Sequence, residues 1–308
     1  MNHHKIFVCV PVLNASRLWN QFSTALRSQG LSPRQVLIID SESDDDTPQL
    51  AVGDGYQLIR IARRDFGHGA TRQLAVSFAQ DADVLVYLTQ DAILANPDAL
   101  NNLLPAFRNP SVGAAYGRQL PRPGADAIEA HARLFNYPQT SHIRCLSDRE
   151  RFGFKTIFIS NSFAAYRRTA LEAVGGFPAN TIFGEDTITA ARLLLAGWDI
   201  AYVADAPVYH SHSYTVTQDL RRYFDIGVLH SRESWLLKEF GGAGGEGRRF
   251  ITSELQFLWR NQKPQIPSAL LRTLAKLAGY RLGRFEHRLS PKMKYRLSMH
   301  RSFWKQFT

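Results

Sequence analysis

The sequence predicts an α/β fold, a mostly parallel sheet flanked by helices, followed by a helical and basic C-terminal extension. Three observations predict it. Short apolar runs alternate with stretches of helical spacing through the first two hundred residues. Polar residues with chemical potential follow directly on the apolar runs, where the strands of an open sheet would end. Beyond residue 217 the pattern turns helical, and from residue 241 positive charge accumulates.

Residues 5–12 read as a buried strand. Residues 16–29 then carry Leu18, Phe22, Ala25 and Leu26 at helical spacing, with Ser16 as N-cap and Gly30 as the stop. Strands follow at 35–39, 57–62 and 83–88, with a helix over 69–79 between the last two. Asn96-Pro97 has the form of a helix start, which predicts a helix to about Phe107. Extended segments are expected at 112–120, 157–166 and 200–210, with helices at 126–135, 169–174 and 185–196. A glycine cluster over 241–247 suggests a boundary, giving a domain of residues 1–240 and an extension of 241–308.

Composition excludes several classes. A chain of 308 residues with 44% hydrophobic and 21% charged residues is long enough for an enzyme-sized core and is neither collagen-like nor globally disordered. Two cysteines, Cys9 and Cys145, make no disulfide framework and fit a reducing compartment. Residues 6–13 are apolar but broken by Pro11 and lack the features of a secretory signal, and no run of 18 apolar residues occurs. A cytoplasmic protein is expected, with contact to the cytoplasmic face of an inner membrane as an option.

That option comes from charge. Of the formal +10, residues 241–308 hold 14 Lys plus Arg against three acids, +11, leaving −1 on the rest. Basic tails attract nucleic acid or anionic lipid. Over 268–289, Leu271, Leu274, Ala278, Leu282, Phe285 and Leu289 recur at steps of three and four, with Arg272, Lys276, Arg284 and Arg288 on other faces. Such an amphipathic basic helix either packs its stripe on the main domain or lies on a membrane surface.

The candidate site residues are acids and histidines at strand ends. Asp40 can accept from a base N–H or a sugar hydroxyl, or simply cap a helix. Asp91 emerges from the dry run 84–88 and needs a partner, either the next segment's backbone or a divalent cation holding a diphosphate. Asp44, Asp45 and Asp46 read as a solvated turn capping the segment from Thr47. Glu185 and Asp186 open a helix, where the dipole favours acids; alternatively one of them faces a cleft as a general base. His210 and His212 share one face of an extended chain, so the pair suits a metal or phosphate contact beside Asp91.

Together these pieces resemble the inverting family 2 glycosyltransferases of GT-A fold, and among them the bacterial rhamnosyltransferases. The resemblance covers about residues 5–235. It rests on Val10-Pro11-Val12-Leu13-Asn14, Ile39-Asp40-Ser41-Glu42-Ser43-Asp44-Asp45-Asp46-Thr47, Phe66-Gly67-His68-Gly69-Ala70-Thr71-Arg72-Gln73, Leu88-Thr89-Gln90-Asp91-Ala92, Ile159-Ser160-Asn161-Ser162, Gly175-Gly176-Phe177, Phe183-Gly184-Glu185-Asp186 and His210-Ser211-His212. It implies a pyrimidine-binding role for Asp40, contact of Arg72 with base or diphosphate, and the final position of an Asp-x-Asp metal motif for Asp91. Thr89 stands where that motif has its first Asp, so metal affinity should rest on Asp91, the donor diphosphate, water, and His210 or His212.

Pro11 and Gln90 fall in the donor-nucleotide pieces, Asp186 matches the general base, and Glu185 and Asn161 support it or face the acceptor. The implied cofactor is Mg2+ or Mn2+. The implied donor is dTDP-β-L-rhamnose and the acceptor a lipopolysaccharide- or O-antigen-type glycan or lipid-linked saccharide, with no nucleic acid partner. Alternatives are another nucleotide sugar on the same fold, a metal-dependent nucleotidyltransferase, and a nonenzymatic nucleic-acid-binding module. Residues 11–16 hold no glycine-rich basic phosphate loop of the second kind, and the tail lacks a reader motif of the third.

Overall fold

In the computed structural model, which describes residues 4–305 apart from 80 and 243, strands and helices alternate as the sequence predicts. β1 (Ile6–Val12) leads through α1 (Ser16–Arg27) to β2 (Val36–Asp40), then α2 (Thr47–Gly53), β3 (Gln57–Arg60), α3 (His68–Phe78) and β4 (Val84–Leu88). A short β5 (Ile93–Leu94) and α4 (Ala99–Leu103) precede β6 (Val112–Leu120), α5 (Ala127–Asn136), β7 (His142–Arg144), α6 (Arg149–Phe152) and β8 (Phe163–Arg167). After α7 (Arg168–Ala173), α8 (Glu185–Leu195) and β9 (Asp199–Tyr209), the described chain is helical: α9 (Val216–Arg232), α10 (Ser234–Phe240), α11 (Gly244–Asn261), α12 (Ile266–Arg284), α13 (Pro291–Leu297) and α14 (Arg301–Lys305).

The sheet order is β3-β2-β1-β4-β8-β6-β9-β5, with β7 on β9. β1 is parallel to β2 and β4, β8 is antiparallel to β4 and β6, and β6 is parallel to β9. This arrangement places the carboxyl ends of β1, β2, β3, β4, β6 and β9, and the amino end of β8, along one edge. All five residues of β2 and of β4 are buried, as expected for strands covered on both faces. Apolar clusters fill both faces, one around Tyr87, Tyr166 and Leu193, the other around Trp19, Val86 and Phe107.

Several local expectations differ. Ser16 is the first residue of α1 rather than its cap; Ala15 holds that position without a side-chain bond. The helix expected from Asn96 to Phe107 is a five-residue α4 followed by a 3-10 turn from Leu104 to Arg108, because Pro105 has no N–H to continue an α ladder. Of the strand expected over 157–166, only Phe163 onward is sheet, and Ile157 closes a 3-10 turn from Gly153. In the Asp44-Asp45-Asp46 turn the N-cap of α2 is Asp46, which makes no side-chain cap bond; Asp45 instead accepts from the backbone N–H groups of Thr47 and Ser16.

The glycine-rich segment does not separate two cores. From Gly244 onward it is already helix α11, which packs on α5 with Ile128, Leu258 and Ala269 as a joint cluster. Trp304 of α14 is buried with Ile182, Phe224 and Val228. Trp304→Ala should therefore lower stability by about 3 kcal/mol, read as a fall in the urea midpoint of the full chain.

Candidate active site

The acid pair Glu185-Asp186 opens α8, and the turn before it depends on Gly184. That residue has φ +76°, and a Cβ there would stand 2.6 Å from the Leu229 side chain. Glu185 is buried and accepts from Arg72 Nη1 at 2.9 Å and from Asn161 Nδ2 at 3.0 Å. Burial alone would raise its pKa; the Arg72 charge, then His68 and the Asn161 hydrogen bond, reverse the sign and hold it ionised. Asp186 is pushed up to about 6, first by burial and next by the Glu185 charge beside it. Backbone N–H groups of Thr187 and Asn161 reach its two oxygens at 2.7 and 3.3 Å.

Asn161 thus grips both acids, and its own Oδ1 accepts from Tyr166 at 2.8 Å. This explains why the strand starts only at Phe163: the Asn161 N–H serves Asp186 rather than the sheet. Arg72, expected at the donor, is buried in the ion pair with Glu185 and also donates to the His68 carbonyl.

Asp91 follows β4 and lies 3.5 Å from His210 Nε2 and 3.6 Å from His212 Nε2. The ligating atoms of all three lie within 4.8 Å of one another, the one such cluster found among the described residues. Burial lowers the pKa of both imidazoles, that of His212 to about 4, so both are neutral near pH 7 with a lone pair available. For Asp91 burial works the other way, but in acid, where both imidazoles are protonated, the His210 hydrogen bond and the two histidine charges outweigh it and keep the pKa well below the usual carboxylate range. Two neutral imidazoles and one carboxylate suit a divalent cation such as Mn2+. His210 is oriented from behind by Gln119 Oε1, 3.0 Å from its Nδ1.

Asp40 ends β2, fully buried, and its carboxylate meets Ser43 N–H at 3.2 Å and Arg60 Nε at 3.2 Å. Pro11 lies in β1 opposite Ile39, beyond the point where pairing with β4 ends at Cys9, so its missing N–H leaves no ladder bond unmade on that side. Gln90 has its amide engaged in both directions by Leu13, whose N–H reaches Oε1 at 2.6 Å and whose carbonyl accepts from Nε2 at 3.0 Å. It clamps the β1 and β4 loops together. Asn14 and Glu42 in the adjoining loops take left-handed backbone (φ 51° and 56°), strain of the kind found at ligand-binding loops.

Three neighbours escaped the sequence reading. Gln119 is one. Arg122 places Nη2 2.5 Å from the Asp91 carbonyl and 3.8 Å from its carboxylate, at the rim of a cleft of about 360 Å³ that His212, Tyr214, Glu129 and Gln218 also line. His300, from the C-terminal segment, meets His68 at 3.3 Å and stacks on Phe183, while Met299 and His300 N–H groups bind Asp225. Only Arg122 had a local signal, standing two residues past the end of a strand at the active edge.

The mostly parallel sheet with flanking helices, and acids and histidines gathered at one edge, is the GT-A glycosyltransferase fold. Residues 3–224 match the family described as Glycosyltransferase like family 2, and the chain belongs to that family. It is 46% identical over 301 residues to the O-antigen chain rhamnosyltransferase RfbN of Salmonella typhimurium, covering 97% of this chain and 96% of the relative. It is 47% identical over 296 residues to the O-antigen chain rhamnosyltransferase WbaN of Salmonella anatum, covering 96% and 94%. In fold it is similar to the mannosyltransferase PcManGT from Pyrobaculum calidifontis, a structure in complex with GDP-Man and Mn2+, with a TM-score of 0.59 and 20% identity over 96% of this chain and 86% of that one.

Removing the buried cation beneath the acid pair should be costly. Arg72→Gln strands the Glu185 charge, and a loss of about 3 kcal/mol or more is expected, measured by urea denaturation beside the Glu185→Gln and double variants; the double variant should recover part of it.

Proposed function

We propose that this chain is an inverting rhamnosyltransferase of O-antigen synthesis that moves L-rhamnose from dTDP-β-L-rhamnose to a hydroxyl of a lipid-linked saccharide at the cytoplasmic face of the inner membrane. The rhamnosyl and O-antigen parts rest on the two relatives at 46% and 47% identity. The observation that carries the chemistry is the pair of adjacent carboxylates with opposed pKa shifts, Glu185 anchored to Arg72 and Asp186 raised to about 6. A base with that pKa is ionised near neutrality yet basic enough to take a proton in the transition state.

Asp186 removes the proton of the acceptor hydroxyl as that oxygen bonds to the anomeric carbon. The bond from that carbon to the diphosphate oxygen breaks on the opposite face, dTDP departs, and a single displacement turns the β-linked donor sugar into an α-L-rhamnoside. Asn161 and the Thr187 N–H fix the direction of the Asp186 carboxylate throughout. Asp91, His210 and His212 would hold a divalent cation, which would supply positive charge against the leaving diphosphate. Arg122 adds a fixed positive charge at the same rim. In this reading Asp40 and Pro11 border the pyrimidine end of the donor, with Gln90 keeping the two loops in place. The imidazole-rich ligand set favours Mn2+ over Mg2+, because Mg2+ selects oxygen ligands.

Asp186→Asn is expected to abolish transfer while thermal stabilisation by dTDP-rhamnose with Mn2+ persists; ordinary turnover by this variant would remove the base assignment. With the native chain, kcat should be flat above pH 6 and fall about tenfold per unit below it, because the base works only when deprotonated and protonates through its raised pKa of about 6. Initial rates across pH 5–8 check the profile. His212→Ala should weaken Mn2+ dependence about 10- to 100-fold, read by titrating the metal at fixed donor concentration.

A further inference from the structure

Helix α12 is turned opposite to the usual rule for an amphipathic helix. Its buried residues are Ala269, Arg272, Ala275, Gly279 and Gly283, while Leu270, Leu271, Leu274, Leu277 and Leu282 are exposed, as is Phe285 at its C-cap. Leu274 keeps 64% of its surface open. At 100° per residue these outward positions fall within an arc of about 140°, with Arg281 inside it. The inner face cannot exchange places with the outer one. A Cβ on Gly279 would come within 2.1 Å of the Leu220 carbonyl oxygen, and one on Gly283 within 2.0 Å of that of Phe224, so the backbones of α12 and α9 touch at the glycines. Arg272 adds a buried ion pair to Asp219 of α9 at 3.0 Å.

A contiguous apolar strip on a helix whose other side is fully used marks a surface for docking. Charge identifies the occupant. Residues 255–285 contain no acid; the flanking Glu254 and Glu286 are both buried, and Glu286 is paired with Arg232 and Lys294. A second copy laid on the strip would bring a second Arg281 to it and no carboxylate to pair with either. An anionic lipid surface supplies negative headgroups around an apolar interior, matching both properties. Trp259, exposed just upstream beneath Lys263, is a side chain suited to a headgroup region. No helix among the described residues is long and apolar enough to cross a membrane.

We infer that the leucine face of α12 is the membrane-docking surface of this protein and seats it on anionic lipid with the helix lying in the interfacial plane. The inference deepens the lipid-linked acceptor reading by naming the surface that brings the enzyme to such an acceptor. α9, on which α12 packs, starts four residues after His212, so the seat lies one short loop and one helix from the proposed cation triad.

The full chain is tested by co-sedimentation with vesicles of phosphatidylcholine alone and of phosphatidylcholine mixed with phosphatidylglycerol, without donor or acceptor. The native chain should bind the mixed vesicles and be released by salt. Leu271→Gln/Leu274→Gln should lower the partition coefficient about tenfold or more, and Arg281→Gln should lower it less while weakening the salt dependence. These residues lie away from the active site, so both variants should keep the native melting temperature and its rise with dTDP-rhamnose and Mn2+. Failure of that rise in the native chain as well would count against the donor assignment and leave vesicle binding to be judged by itself. Equal binding by the double variant, or no binding by the native chain, overturns the inference. So does a concentration-dependent dimer that the double variant abolishes in light scattering, which would make the face a contact between copies.

Discussion

Two carboxylates adjacent in the chain open α8, and a single guanidinium lies beneath them. Arg72 reaches Glu185 at 2.9 Å and is itself nearly inaccessible, so its charge reverses the effect of burial on that acid, while its weaker pull on Asp186 is outweighed there. The other acid feels burial and the unscreened neighbour together, and its pKa rises. Nothing in the identities of Glu185 and Asp186 produces this difference. It comes from the position of α3 under the sheet edge, with Arg72 one turn into that helix and Asn161 at the head of β8 holding both acids in register. A site built this way is sensitive to the packing of α3 on α8 far more than to the loop around it.

The cluster of Asp91, His210 and His212 obeys the same logic with different groups. Burial makes His210 and His212 neutral ligands while the carboxylate of Asp91 stays charged, so a protein with Thr89 in place of a second acid still presents three donors. Replacing a carboxylate by imidazole reduces the negative charge of the empty site and so reduces its hold on a cation when no diphosphate is present. In the proposed function metal and donor binding would thereby be linked, each supplying part of the other's coordination or neutralisation.

Much of this was legible because α/β sequences punctuate themselves. An apolar strand followed by a polar residue puts that residue at the ligand-binding edge whatever the rest of the chain does, which is why Asp40, Asp91 and His210 stand out as candidates; Asp186 opens α8 instead and stands out through the family resemblance. What was not legible depends on distant partners. Arg72 reads as a ligand contact until Glu185, over a hundred residues later, is known to cover it, and Gln90 reads as a donor contact until Leu13 is seen to occupy its amide. His300 had no signal, since its meaning lies in His68 and Phe183. The orientation of α12 was hidden for a related reason. Hydrophobic periodicity locates a stripe but does not say which side another helix covers, and glycines that permit backbone contact carry no weight in such a pattern.

The division suggested by composition at residue 241 separates charge, not structure. Asp225 of α9 binds the backbone of Met299 and His300, and His300 in turn touches His68, one turn before Arg72. Burial holds the His300 imidazole at a pKa of about 3, with His68 and then Arg222 adding to the shift, so the contact joins an uncharged ring to the residue next to the buried ion pair. Tail and acid pair are therefore connected through side chains rather than along the chain. A basic extension held this way cannot swing free as a tether. It fixes where α12 lies relative to Asp186, and under the lipid-docking inference an acceptor anchored in a membrane would have to present its hydroxyl at a distance set by that geometry.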